Sequence, residues 1–148
     1  MWPFLRDIVR AGETYTWPRD IDDDAARAIW MAPPPACTLV AVEEETVLGT
    51  AKIGPNQLGP GAHVANGSFM VDAAHAGKGV GRALGTAALE RARADGYRAM
   101  QFNAVVETNT GAVRLWRSLG FAVLTTVPEA FRHPTLGYVG LHVMHRPL

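Results

Sequence analysis

The stretch from Val71 to Arg93, VDAAHAGKGVGRALGTAALERAR, constrains this chain more than any other. A strand-like run from His63 to Val71 enters it, glycines alternate at Gly77, Gly79 and Gly81, and a helical pattern follows at once. Apolar residues recur at Val80, Leu84, Ala87, Ala88 and Ala92, which sets them on one face at helical spacing. A strand that passes through alternating glycines into a helix start leaves several backbone N–H groups unpaired and aimed at one point. The helix dipole adds positive potential there, so the turn suits a phosphate. Glycine lets the backbone approach a ligand closely and tolerates positive φ. No Gly-Lys-Ser/Thr closes the turn, which excludes a P-loop. Leu84 stands where the third glycine of a dinucleotide fingerprint belongs, and the plain alternative is a glycine-rich helix cap with no ligand.

The rest of the chain alternates short elements. Trp2–Ala11 carries Phe4, Leu5, Ile8 and Val9 on one side of a helix, which Gly12 ends. The loop GETYTWP brings Tyr15 and Trp17, which serve equally as packing or as the wall of a substrate pocket. Asp20 to Asp24 ahead of AARAIWM form an acidic helix start; no histidine stands nearby at metal-ligand spacing, so dipole compensation is the better account. After Pro33-Pro34-Pro35, Thr38–Val42 and Thr46–Ile53 read as a hairpin turned at Glu43–Glu45. The Gly/Pro-rich loop 54–61 leads into HVANGSFMV. Gly96 stops the central helix, Ala99–Val106 is an apolar strand, and Glu107–Thr110 caps a helix with Ala112, Leu115, Trp116 and Leu119 on one face. Phe121–Val127 and Tyr138–His145 read as the last strands, joined by a loop PEAFRHPTLG. With no repeat and no linker, residues 1–148 form one α/β domain, a mixed and mostly antiparallel sheet flanked by helices.

Charge and cysteine content narrow the partners. The formal net charge is zero, so nothing points to nucleic acid or an anionic membrane, and Arg82, Arg91, Arg93 and Arg98 read as a solvated face. The single cysteine, Cys37, excludes an internal disulfide and fits a reducing compartment. No run has transmembrane length and the start lacks a signal-peptide core, so a soluble cytoplasmic protein is expected.

Two asparagines break the apolar pattern of their strands: Asn66 in HVANGSFMV and Asn103 in AMQFNAVV. Asparagine is depleted in strands and buried amides must be hydrogen-bonded, so a polar purpose in one cleft is expected. The alternatives are a bulge at Asn66-Gly67 and a backbone-bonding Asn103. Asn109 opens the second helix as an N-cap. His63, His75, Glu107 and His133 stand as candidate general bases, with no partner visible in the sequence to tune them.

Two motifs carry a family resemblance. Ala76-Gly77-Lys78-Gly79-Val80-Gly81 resembles the pyrophosphate-binding motif Arg/Gln-x-x-Gly-x-Gly/Ala of the GNAT superfamily of acyl-CoA N-acyltransferases, with Ala76 in place of the usual first residue. Asn109-x-x-Ala112-x-x-Leu115-Trp116-x-x-x-Gly120-Phe121 resembles that family's Asn-x-x-Ala-x-x-Leu-Tyr-x-x-x-Gly-Phe. The resemblance implies the GNAT fold and acetyl-CoA as co-substrate. It implies that the backbone of Phe69, Met70 and Val71 pairs with the pantetheine arm and that Ala76 to Arg82 hold the pyrophosphate. Asn109 and Trp116 complete the acetyl-CoA contacts, and no metal is implied. Trp116 replaces the tyrosine that many relatives use as an acid, and an indole is a donor only. The order matches the family from the first helix onward, with its first strand missing. Either the start codon has been placed late or the chain manages without this edge strand; with the strand absent, a homodimer that covers the bare edge or upstream in-frame codons that encode the strand are expected.

The segments HVANGSFMV, MQFNAVVETNTGAVRLWRSLGF and AFRHPTLGYVGLHVM are similar to a GNAT subgroup that includes fungal acetyltransferases of proline analogues such as azetidine-2-carboxylate. That likeness places Asn66 and Asn103 at the substrate and reaction centre, and the acceptor becomes the amine of a small molecule, an amino or imino acid among them. Two rival functions stand beside it: a non-catalytic acyl-CoA-binding module, and acetylation of a protein N-terminus or lysine. The Tyr15/Trp17 loop and the AFRHP loop speak for a closed pocket instead of a peptide groove.

Overall fold

The computed structural model describes residues 1–148. Its elements are α1 (Trp2–Ala11), α2 (Asp23–Trp30), β1 (Cys37–Glu43), β2 (Thr46–Pro55), β3 (Val64–Val71), α3 (Val80–Ala94), β4 (Ala99–Val106), α4 (Thr110–Ser118), β5 (Ala122–His133) and β6 (Gly137–Pro147). One six-stranded sheet runs in the order β1-β2-β3-β4-β6-β5. Its strands pair antiparallel except β3 and β4, which the crossover helix α3 joins in parallel. β1 and β5 each pair on one side only.

Helices cover both faces, and the strands sort their side chains by period two. On one face Phe4, Leu5 and Val9 of α1 meet Trp30 of α2 and Met70 of β3. Asp22 caps α2 by accepting from the Ala25 N–H at 2.8 Å, as the acidic cluster before it led one to expect. On the other face Leu89 and Ala92 of α3 and Trp116 of α4 cover Ile53, Met100, Phe102 and Met144. The two helices approach so closely at Gly85 that a Cβ there would lie 2.6 Å from Leu119 Cδ1.

Two details depart from the sequence reading. The segment PEAFRH is strand, not loop: β5 follows β6 past a bulge between Val127 and Phe131, and the buried Phe131 packs on Val106 and Val139. The pull of that small core outweighs the proline and the charges, so the hairpin turns only at Pro134–Leu136. Nor does Asn66-Gly67 form a bulge, since β2 and β3 stay in register from Gly49↔Val71 to Pro55↔Ala65. Gly67 is there for room: a Cβ would lie 2.9 Å from Cε2 of Phe69 and 3.2 Å from Cε1 of Phe102.

Candidate active site between two parting strands

β3 and β4 pair over Val64↔Ala99, Ala65↔Met100 and Asn66↔Gln101, and then part. From Gly67 to Val71, β3 stays bonded to β2 but has lost its other neighbour. On β4 the register against β6 slips between Phe102 and Val105, which leaves Asn103 and Ala104 outside the ladder. The result is a cleft of about 490 Å³. Asn66, Phe69, Met70 and Val71 of β3, Asn103 of β4, and Asn109 and Trp116 at α4 all line it. Asn109 and Trp116 come from the second motif and the others from two strands, and the parting of those strands brings them to one place.

Their parts differ. Met70 turns its side chain into the α1/α2 core and is 2% exposed, so only its backbone is available to a ligand. The Phe69 ring turns the other way and packs on Trp116 at a centroid distance of 4.6 Å. Trp116 itself sits inside the aromatic cluster of Phe69, Phe102 and Phe121, so its first task is to pack the cleft floor. Asn109 caps α4, its Oδ1 accepting from the Ala112 N–H at 3.2 Å.

The far wall comes from the loop after α1. Tyr15 and Trp17 line the cleft and also pack in a trio with Trp30, so both readings of these aromatics hold. The Tyr15 hydroxyl donates to the Phe69 carbonyl at 2.8 Å, on the strand that has lost its neighbour. Burial raises the phenol's pKa well above the tyrosine range, so Tyr15 stays protonated at ordinary pH.

A chain of amides closes the vertex where the strands part. The Nδ2 groups of Asn66 and Asn103 both donate to Oδ1 of Asn56, at 3.1 and 2.7 Å. Gln101 Nε2 donates to Asn103 Oδ1 at 2.8 Å. Asn103 thus bonds side chains, not the neighbouring backbone. Neither Asn56 nor Gln101 was singled out in the sequence. An asparagine in GPNQLGPG reads as a turn residue, and only the fold sets it beside Asn66 and Asn103.

The glycine turn lies beyond the end of the cleft. Gly77 and Gly79 take φ of 77° and 84°, and a Cβ on either would meet nothing within 4 Å. Gly81 lies inside α3, and its role is closeness: a Cβ would stand 3.2 Å from Leu115 Cδ2 and 3.8 Å from Val71 Cγ2. That contact joins the turn to the cleft's end at Val71. The Ala83 N–H reaches the Gly79 carbonyl at 3.0 Å, so the N–H groups of Val80, Gly81 and Arg82 lie ahead of the helical ladder, unspent by it. Ala76, Gly77, Lys78 and Gly79 are exposed, Val80 is buried in the sheet-facing core, and Arg82 reaches across to Ser118 Oγ at 2.9 Å. None of Ala76 to Arg82 lines the cleft itself. A bare strand edge that leads to a set of unspent N–H groups fits a long ligand with an anionic end.

The candidate bases stay outside. His63 lies on the Pro60 carbonyl at 3.0 Å, and His75 sits 3.5 Å from Lys78 Nζ beside the turn. His133 accepts the Thr135 and Leu136 N–H groups at the hairpin tip. The Glu107 carboxylate accepts the Gly140 N–H on β6. None of these lines the cleft, and neither does the AFRHP segment, so of the two segments expected to close a pocket only the Tyr15/Trp17 loop lines it. No group of three or more His, Cys, Asp and Glu residues is placed to hold a metal.

The model of the acetyltransferase (GNAT) family matches residues 2–121. The chain belongs to the GNAT acetyltransferase family. This GNAT protein is 60% identical to a GCN5-related N-acetyltransferase from Kribbella flavida, with a TM-score of 0.96 over 100% of this chain and 90% of that one. It is 27% identical, at a TM-score of 0.81, to YncA from Salmonella typhimurium, solved with its cofactor acetyl-CoA, over 99% of this chain and 85% of that one. Over 102 residues, 68% of this chain, it is 35% identical to the N-acetyltransferase aca1 of Schizosaccharomyces pombe. The matched region spans about half of that fungal protein, 49% of its length. The expected fold and family are both borne out, and no helix is long and apolar enough to cross a membrane.

Proposed function

We propose that this GNAT protein transfers acetyl from acetyl-CoA to the amine of a small molecule, with amino and imino acids the first class to test. One observation carries the reading. The cleft between β3 and β4 is lined by backbone, amides, hydroxyls and apolar groups, with no Asp, Glu, Lys, Arg or His among its lining residues. A thioester arm along the free edge of β3 would take up part of the cleft's 490 Å³, and what is left suits a small acceptor.

In such surroundings an ammonium loses hydration without gaining a counter-charge, so the free amine is the favoured form. Its lone pair attacks the acetyl carbonyl, the new C–N bond forms, the C–S bond breaks, and the departing thiolate takes a proton. The amine's own proton passes to solvent, since no lining group serves as a base of ordinary pKa. An acceptor carboxylate would be held by amide and backbone N–H groups, not by an ion pair. What this chain supplies is position: the amides of Asn66 and Asn103 against the acceptor, and the turn from Ala76 to Arg82 against the pyrophosphate. The free thiol of Cys37 is in keeping with a cytoplasmic setting, and the one-sided edge at β1, with Val40 and Val42 exposed, offers a second copy a place to pair.

Amine-dependent release of CoA thiol, with mass spectrometry of the product, tests the reading over a panel of amino acids, imino acids and simple amines. The expected result is acetylation of at least one small amine and none of matched peptides. Tight acetyl-CoA binding with no amine-dependent thiol release would establish the non-catalytic module in its place, and turnover of peptides alone would establish a peptide acetyltransferase.

A further inference from the structure

Asn56 does not line the cleft, yet it holds both amides that do. It follows Pro55 at the end of β2, and its own N–H donates to the Val64 carbonyl at 2.8 Å, which fixes its backbone to the start of β3. Its Oδ1 then receives the Asn66 and Asn103 donors from two different strands, at the last backbone pair before they part, Asn66↔Gln101. A carbonyl oxygen has two lone pairs, and both are spent here. With Asn56 acting as an acceptor only, each cleft amide must point its Nδ2 inward to the clasp. Asn103 Oδ1 is taken by Gln101. That leaves Asn66 Oδ1 with no protein partner, free to receive an N–H from an acceptor amine, and leaves each Nδ2 one hydrogen to spare.

We infer that Asn56 is a positioning residue for acyl transfer: its side-chain oxygen sets the direction of the Asn66 and Asn103 amides and so orients the acceptor amine. The inference rests on the acyl-transfer reading of the cleft, and it assigns a role to a residue that touches neither substrate. A residue that merely filled space at the loop would act independently of the two asparagines. A clasp acts only through them.

Asn56→Leu keeps the size and removes the acceptor; Asn56→Asp keeps the acceptor. The expected loss in kcat/KM for Asn56→Leu is roughly tenfold to a hundredfold, the range set by a lost or misdirected hydrogen bond to the reacting groups. Asn56→Asp recovers most of it, and acetyl-CoA affinity by calorimetry stays unchanged in both variants. In an Asn66→Ala/Asn103→Ala background, Asn56→Leu is expected to change activity by less than about threefold, because coupled residues are non-additive. A second readout needs no substrate. In ¹⁵N-correlated spectra, the side-chain amide signals of Asn66 and Asn103 stand apart from free amides in the wild type and in Asn56→Asp, and move to free-amide positions in Asn56→Leu. Equal losses in both backgrounds, no recovery by Asn56→Asp, or amide signals unmoved by Asn56→Leu would each overturn the clasp. If the wild-type protein acetylates no amine, the functional reading falls, and the spectra alone still decide the clasp.

Discussion

Replacing Gly79 with alanine separates backbone strain from ligand binding. Gly79 sits at the N-cap of α3 with φ of 84°, and a Cβ there meets nothing within 4 Å, so the substitution introduces strain without a clash. Placing an L-residue in the left-handed region costs about 1–2 kcal/mol. In a chain of this size each kcal/mol lowers Tm by about 2–4 °C, so a fall of roughly 2–8 °C is expected. Gly96, just past the other end of α3, provides the matched control: its φ is 83° and its Cβ position is equally open. Gly96→Ala should therefore lose the same stability. The two variants part in binding. Relaxing φ at Gly79 re-aims the N–H groups of Val80 and Gly81, and a charge-assisted hydrogen bond is worth about 1.5–3 kcal/mol. Acetyl-CoA should then bind at least about tenfold more weakly to Gly79→Ala, at about 1.4 kcal/mol per decade, while Gly96→Ala binds as wild type does. Calorimetric titration alongside thermal melts measures both quantities. Equal melts with equal affinities would refute the turn as the pyrophosphate site.

Three further outcomes follow from the cleft. Asn103→Ala should lower kcat by about 10²–10³, the usual loss for one preorganised donor, with acetyl-CoA affinity near wild type, whereas Asn66→Ala should chiefly raise KM for the amine; wild-type turnover by Asn103→Ala would make that residue a strand spacer. Asn109→Ala removes the cap on Ala112 and should cost about 1 kcal/mol of stability as well as acetyl-CoA affinity; Asn109→Ser should restore the melt but not the affinity, and recovery of both would leave Asn109 a cap alone. Tyr15→Phe leaves the Phe69 carbonyl short of a donor and should cost about 1–3 kcal/mol at neutral pH. Because burial raises the phenol's pKa above its unfolded value of 10.0, the neutral form's contribution is complete below pH 10 and is lost as pH rises beyond it. Wild type should therefore lose stability more steeply than Tyr15→Phe in alkaline melts; parallel curves would show that Tyr15 ionises freely.

The sequence alone determined the elements whose causes are local. Helical spacing gave α1 its limits, Trp2–Ala11, and the glycines at 77 and 79 marked the turn because only glycine sits easily at positive φ. Asn66 and Asn103 were visible as polar residues in apolar strands, because strand composition is a local statistic. What the sequence could not decide depended on pairing between distant strands. The length of β5 was hidden because its reward, the burial of Phe131 against Val106 and Val139, lies on other elements. The candidate bases could not be sorted by type, and only the fold turned Glu107 onto Gly140 and set the histidines outside the cleft. Asn56 was invisible for the same reason. Its neighbours in sequence mark a loop, while its partners lie 10 and 47 residues away, on strands that meet it only when the sheet has formed.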